Sequence, residues 1–142
     1  PLESFGPTPA IPQGTGGYQI GAGLNVEPIM QTVAVTSATG DVTLTAAQMA
    51  GGIVSCNKGS DAGLTVTTAT AALIDAAFPS MKVGSAFELT ITNNNNSGAS
   101  STVTVTGGTG VTVVGSTTVA RFGGATYKFV KTGTAAYSAY LK

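Results

Sequence analysis

Residues 86–92 read Ala86-Phe-Glu-Leu-Thr-Ile-Thr92, and this heptapeptide decides the fold. Phe87, Leu89 and Ile91 alternate with Glu88, Thr90 and Thr92. Strict period-two alternation places every second side chain on one face, so this is a strand with one face buried and one wet. Further strands are expected on both sides of it. Downstream, Thr102–Thr106, Val111–Val114, Thr117–Phe122, Thr126–Lys131 and Ala136–Leu141 are divided by Gly107-Gly108, Gly115, Gly123-Gly124 and Gly133. Upstream, Thr32–Ser37, Asp41–Thr45, Ile53–Asn57 and Leu64–Thr68 have the same texture, with a turn at Thr39-Gly40-Asp41 and a polar loop over Lys58–Gly63. Short strands at this spacing predict an all-β domain, an antiparallel jelly-roll-like sandwich or barrel. With no strict internal repeat, a propeller or solenoid is disfavoured.

Two short helices interrupt the strands. Thr45-Ala-Ala-Gln48 matches a capping box, in which the Thr hydroxyl and the Gln side chain each satisfy an orphan amide, and Gly51-Gly52 supplies the stop. Ala69–Phe78 is the second helix, with Leu73, Ala77 and Phe78 on one face and Pro79 ending it.

The first thirty residues differ. Pro1, Pro7, Pro9, Pro12 and Pro28 crowd this stretch together with six glycines, and only Pro79 lies beyond. Proline lacks a ladder donor and glycine weakens regular structure, so residues 1–30 read as an extended arm preceding a domain over 31–142. Leu2, Phe5, Ile11, Tyr18, Ile20 and Leu24 are spaced along it as apolar anchors. A disordered linker is poorer in such residues. The favoured reading is an arm that orders on a partner; the alternative is an arm folded over its own domain.

Composition argues against chemistry. Only 8% of the 142 residues are charged, the net charge is zero, and there is no His, no Trp and one Cys. An ordinary domain carries roughly 25% charged residues. Such low charge gives little protection against self-association, which suits a protein that sits in an assembly. The basic residues Lys58, Lys82, Arg121, Lys128, Lys131 and Lys142 are scattered, whereas phosphate neutralisation needs them clustered, so nucleic acid is not an expected partner. No apolar run approaches the ~20 residues of a membrane span, so no membrane partner is expected. The start Pro-Leu-Glu-Ser-Phe-Gly lacks the pattern of a signal peptide, and Pro1 fits removal of an initiator Met and cytosolic synthesis.

The acids Glu3, Glu27, Asp41, Asp61, Asp75 and Glu88 lie far apart, so no paired carboxylates for glycoside hydrolysis are expected. Asp61 alone is a poor calcium ligand set, and a Ser nucleophile has no His to serve it. No catalytic residue, cofactor or metal is therefore expected, and Cys56 reads as a buried small hydrophobe. Gly107-Gly108-Thr109-Gly110 lacks the Lys and following helix of a phosphate loop and reads as a hairpin turn. Asn93, Asn94, Asn95 and Asn96 form a polar loop with the sequon Asn95-Asn96-Ser97 and are the candidates for distal-loop contacts. Tyr127, Tyr137 and Tyr140 read as sheet packing, with a carbohydrate groove as the alternative.

The stretch from Leu44 onward carries a resemblance. Its motifs are Leu44–Ile53, Leu64-Thr-Val-Thr, Ala71–Pro79, Val83–Asn93, Thr102–Gly110 with Gly110–Gly115, a Tyr127/Phe129 strand and Tyr137–Leu141. Over about two-thirds of the chain this resembles small β-domains in virion structural proteins of tailed bacteriophages, particularly capsid decoration (cement) and head-fibre proteins. These are packing and turn motifs, so they specify an architecture more firmly than a station on the virion. The resemblance implies a jelly-roll-like domain, commonly a homotrimer, on the outer capsid surface. It further implies that the arm runs along the major capsid protein and that the domain bridges neighbouring subunits to stabilise the head. The rival expectation is a head-fibre or adhesin module binding host carbohydrate through Asn93–Ser101 and Lys58–Gly63.

Overall fold

Among the described residues, ten strands and two short helices follow one another in the order the patterns predict. The computed structural model describes residues 33–142, and Val33–Lys142 forms one compact unit. The strands are β1 (Ala34–Ala38), β2 (Val42–Thr43), β3 (Gly52–Cys56), β4 (Leu64–Thr67), β5 (Ala86–Asn93), β6 (Val103–Thr106), β7 (Val111–Val114), β8 (Thr118–Val119), β9 (Gly124–Gly133) and β10 (Ala136–Leu141). The helices are α1 (Ala46–Gly51) and α2 (Ala71–Ala77). The anchors Leu2, Phe5, Ile11, Tyr18, Ile20 and Leu24 lie outside the described residues.

Two sheets share the strands: a six-stranded sheet ordered β1-β3-β5-β9-β10-β7 and a four-stranded sheet ordered β2-β4-β6-β8. From β1 to β9 every strand lies in the other sheet from the one before it. Among the described residues, only β9 and β10 form a hairpin within one sheet. Through β6 the chain therefore coils between two layers, and each strand runs the same way as the strand one coil before it in its sheet. That is why β1–β3, β3–β5, β2–β4 and β4–β6 are parallel pairs; beyond β6 the winding changes, and β7 joins the large sheet at its far edge, parallel to β10. Antiparallel pairing is confined to β5–β9, β9–β10 and β6–β8.

The all-β, two-sheet expectation holds, but the antiparallel arrangement does not. A jelly roll is built from antiparallel Greek keys, and the parallel pairs here do not make them. The winding is that of a short solenoid, against expectation. Its coils differ in length because α1, α2 and the polar loops are inserted into them, so no repeat shows in the sequence. Gly107–Gly110 is likewise no hairpin turn: it carries the chain from β6 in one sheet to β7 in the other.

The core lies between the sheets. Val54, Cys56, Leu89, Ile91, Tyr127, Phe129, Tyr137 and Ala139 enter it from the larger sheet, and Leu64, Val66, Val103, Val105 and Val119 from the smaller. Phe87 stacks on Phe129, with ring centroids 5.1 Å apart, an arrangement favourable by about 1 kcal/mol beyond its burial. Cys56 is fully buried, and burial pushes its thiol up to about 11, which keeps it protonated.

The helices seal one margin of this core. α1 has the expected capping box: the Thr45 hydroxyl accepts from Gln48 N at 3.1 Å and Gln48 Oε1 accepts from Thr45 N at 2.9 Å. Gly52 ends it at φ 90°, a left-handed conformation that glycine adopts without Cβ strain. α2 begins at Thr70, whose hydroxyl caps Leu73 N. It buries Ala71 and Ile74 and partly buries Phe78, whereas Leu73 is exposed. The expected face of Leu73, Ala77 and Phe78 is thus corrected to Ala71, Ile74 and Phe78, a spacing of three then four residues.

Candidate functional site

Two loops far apart in sequence meet at one end of the domain. The loop after β3 contributes Ser60 and Asp61, and the loop after β5 contributes Asn94 to Ser100. Asn95 Nδ2 donates to Ser60 O at 2.9 Å, and Ser100 N donates to Asp61 Oδ1 at 2.7 Å. A Cβ on Gly98 would collide with Asp61, so glycine permits this approach. Both stretches singled out from the sequence as distal loops are therefore brought to one place.

The asparagines divide by role. Asn93 closes β5 and is buried; its Nδ2 donates to Ser101 O at 2.6 Å and Val119 O at 3.2 Å. Its Oδ1 accepts from Asn95 N at 3.2 Å. Asn95 is also buried, with its carboxamide held by Ser60 O and Ser97 N. Contact with a ligand through Asn93 and Asn95 is thus corrected: the Asn93 carboxamide satisfies carbonyls of buried Ser101 and Val119, and the buried Asn95 carboxamide is taken up in tying its own loop to Ser60. The same burial takes Asn95 of the sequon out of reach of a glycan. Asn94 and Asn96 are exposed and remain available.

Beside Asn94 lies a hollow of about 490 Å³ lined by Ser55, Thr92, Asn93, Asn94, Phe122, Gly123 and Gly124. Phe122 is 62% exposed and has φ 59°. A bulky residue in the left-handed region is an outlier that the surrounding structure must enforce. Here the enforcement is a turn in which Gly123 N bonds Ala120 O at 2.9 Å while Gly123 O accepts from Asn93 N at 2.9 Å. The Arg121 guanidinium lies 5.3 Å from the Phe122 ring centroid, within cation–π range. Phe122 escaped the sequence reading because it stood as the last residue of a strand. The available signal was an aromatic placed directly before Gly123-Gly124.

The ionisable groups elsewhere serve structure. Asp75 on α2 accepts from Ala135 N at 2.7 Å and from the Tyr137 hydroxyl at 2.7 Å, and it pairs with Lys131 at 3.0 Å. These partners hold its carboxyl down to about 2, the Tyr137 hydrogen bond contributing most. Burial and the same carboxylate push the Tyr137 hydroxyl well above its ordinary value. Asp41 accepts from Thr65 N at 2.9 Å. Glu88 pairs with Lys142 at 2.9 Å, an exposed contact that lowers the Glu88 carboxyl and borders an open groove of about 620 Å³ rich in Thr and Ser hydroxyls. Tyr127 is buried and donates to Ser116 O at 2.7 Å, leaving Tyr140 as the exposed member of the three tyrosines.

Among the described residues no group of three or more His, Cys, Asp or Glu could hold a metal ion, and no helix is long and apolar enough to cross a membrane. The outer face of the four-stranded sheet carries Thr43, Thr65, Thr67, Thr104, Thr106 and Thr118, which pair with one another across the ladder and alternate along their strands with the inward-facing Leu64, Val66, Val103, Val105 and Val119. Such a surface recognises by shape, methyl contact and hydroxyl hydrogen bonds. Comparison with family models, curated proteins and solved structures gives no match.

Proposed function

We propose that this chain is a structural virion protein of the capsid decoration type, which binds the outer surface of an assembled phage head and stabilises it by bridging major capsid protein subunits. The single observation that carries the reading is how the polar groups are used. Asp41, Asp61, Asp75, Asn93 and Asn95 are spent on backbone partners or on tying one element to another. What remains outside is a charge-poor surface of Thr, Ser and Val, suited to contact with protein and to little chemistry. The protein acts without catalysis, cofactor or metal. It works as a homotrimer, and the arm of residues 1–30, with its apolar anchors, holds it to the shell. Three tethered contacts must release together for the trimer to leave, so avidity replaces single-site affinity. Its station is the outer capsid surface, after synthesis in the host cytoplasm.

The test is co-sedimentation with capsids lacking this protein, comparing the full chain with a version that starts at Gln31. Saturable binding by the full chain alone is the expected result. Equal binding by both overturns the arm mechanism, and binding by neither overturns the decoration reading.

One observation favours a second reading, a head-fibre or adhesin module binding host carbohydrate. The two loops predicted for that role do converge, and exposed Asn94 and Phe122 line one hollow there. An aromatic face beside carboxamides is a recurrent way to hold a sugar ring. Glycan binding that Phe122→Ala abolishes would establish it.

A further inference from the structure

We propose that the outer face of the six-stranded sheet is where copies of this chain pack on one another; this names the surface for the self-association proposed above and rests on it. The register fixes which side chains share the face. Val35 lies opposite Ile53, Ile53 opposite Thr90, and Thr90 opposite Thr126, in one row across four strands. On β9 and β10, Val130 and Tyr140 point the same way, since the residues before them along the strand, Phe129 and Ala139, face inward. Val35 and Tyr140 are 58% and 45% exposed.

Charge and area select the occupant. The face carries one acid and one base from its strands, Glu88 and Lys128, directly opposite in the ladder. Glu88 is paired with Lys142 at 2.9 Å, and Lys128 stands beside them in the same row. Burial of the remaining rows strands no charge. Away from that row a second copy brings the same uncharged, β-branched rows, so over them neither side imposes a charge on the other. The strands of this sheet comprise 38 residues. At about 3.3 Å rise and 4.8 Å strand spacing they give a footprint of roughly 600 Å² before side-chain relief. A standard interface takes about 800 Å² from each partner, so this one face supplies most of a stable contact. The edge strands add no obstacle: β1 and β7 contain no Lys, Pro or acid, the devices that keep sheet edges apart.

The experiment is light scattering on the full chain across a dilution series, without capsids. The expected mass is three times the chain mass. Val35→Glu and Thr90→Glu, each placing like charges against one another in every contact, should raise the dissociation midpoint at least about tenfold. Thr104→Glu, on the outer face of the other sheet, should leave it unchanged. Far-UV circular dichroism and thermal melts confirm that each variant folds; Val35 is exposed enough that its variant serves if Thr90→Glu does not. A chain monomeric at every concentration overturns the proposal, as does an oligomer that neither substitution weakens. Capsid co-sedimentation is scored separately. A monomer that still binds capsids saturably overturns the face and leaves the decoration reading standing. An oligomer that fails to bind capsids does the reverse.

Discussion

At the scale of single residues, the polar side chains of this protein are structural where the sequence made them look exposed. Asn93 is the sharpest case. Its Nδ2 satisfies two buried carbonyls at once, from Ser101 and Val119. Asn93→Ala leaves both without a donor and should cost about 1–3 kcal/mol, read by urea denaturation. Asn94→Ala, one position on and exposed, should stay within about 0.5 kcal/mol. Asp75 gives a pH signature. Its folded carboxyl titrates at about 2, below the ~3.9 of an unfolded chain. The folded state therefore binds fewer protons, and the stabilisation is present above the unfolded value and lost as pH falls towards the folded one. Asp75→Asn should lower Tm at neutral pH, and the gap from the parent should close between about pH 4 and pH 2. A gap that stays constant over that window would show that the ion pair and hydrogen bonds to Asp75 do not stabilise the fold.

At the scale of elements, the strands and both helices were legible because each is a local pattern: alternation in β5, a capping box at Thr45, a proline stop after Phe78. The partners of those strands were not. Antiparallel and parallel ladders use the same period-two alternation, so the pattern of residues 86–92 says which face is buried and nothing about which strand lies alongside. The linkers held the missing information, and glycine is ambiguous there. Gly107–Gly110 reads equally as a hairpin and as a crossing between sheets. What distinguishes the crossing is tertiary: a Cβ on Gly108 would lie 2.7 Å from Thr68 O, and one on Gly110 would lie 2.6 Å from Ala135 O. Gly108 N also bonds the buried Thr68 hydroxyl at 2.8 Å. Gly110, at φ 85°, carries both the steric and the conformational constraint. Gly110→Ala should therefore destabilise by more than the ~1 kcal/mol of a simple left-handed penalty, whereas Gly40→Ala, with open space around it, should fall near or below that figure. Equal effects at the two sites, in matched thermal melts, would refute a close crossing. The candidate site shows the same division. That Asn94 and Asn96 are exposed followed from a polar loop, but the meeting of that loop with Ser60 and Asp61 depends on the coil that stacks β3 beside β5.

At the scale of the whole molecule, a coiled two-sheet domain offers two broad outer faces and one end where loops gather, and these can serve different partners. The threonine face of the small sheet looks away from the large sheet, whereas the hollow beside Phe122 is lined by Ser55, Thr92 and Gly124 and so continues the outer face of the large sheet. Phe122 itself projects from the loop at the end of that face, which sets apart the two proposed stations on the virion. A decoration protein should tolerate Phe122→Gly with no loss of capsid occupancy, because the loop end faces away from its duties. Stability should be kept or improved by that change, since glycine adopts φ 59° without Cβ strain and little burial is lost from a side chain 62% exposed. An adhesin should instead lose host-cell binding while its fold is unharmed. Measuring Tm, capsid co-sedimentation and cell binding on the one variant resolves the case: retained Tm with lost capsid binding would place the loop end against the shell and reverse the orientation proposed here. Retained capsid binding with lost cell binding would make the protein a fibre base that carries its own receptor contact.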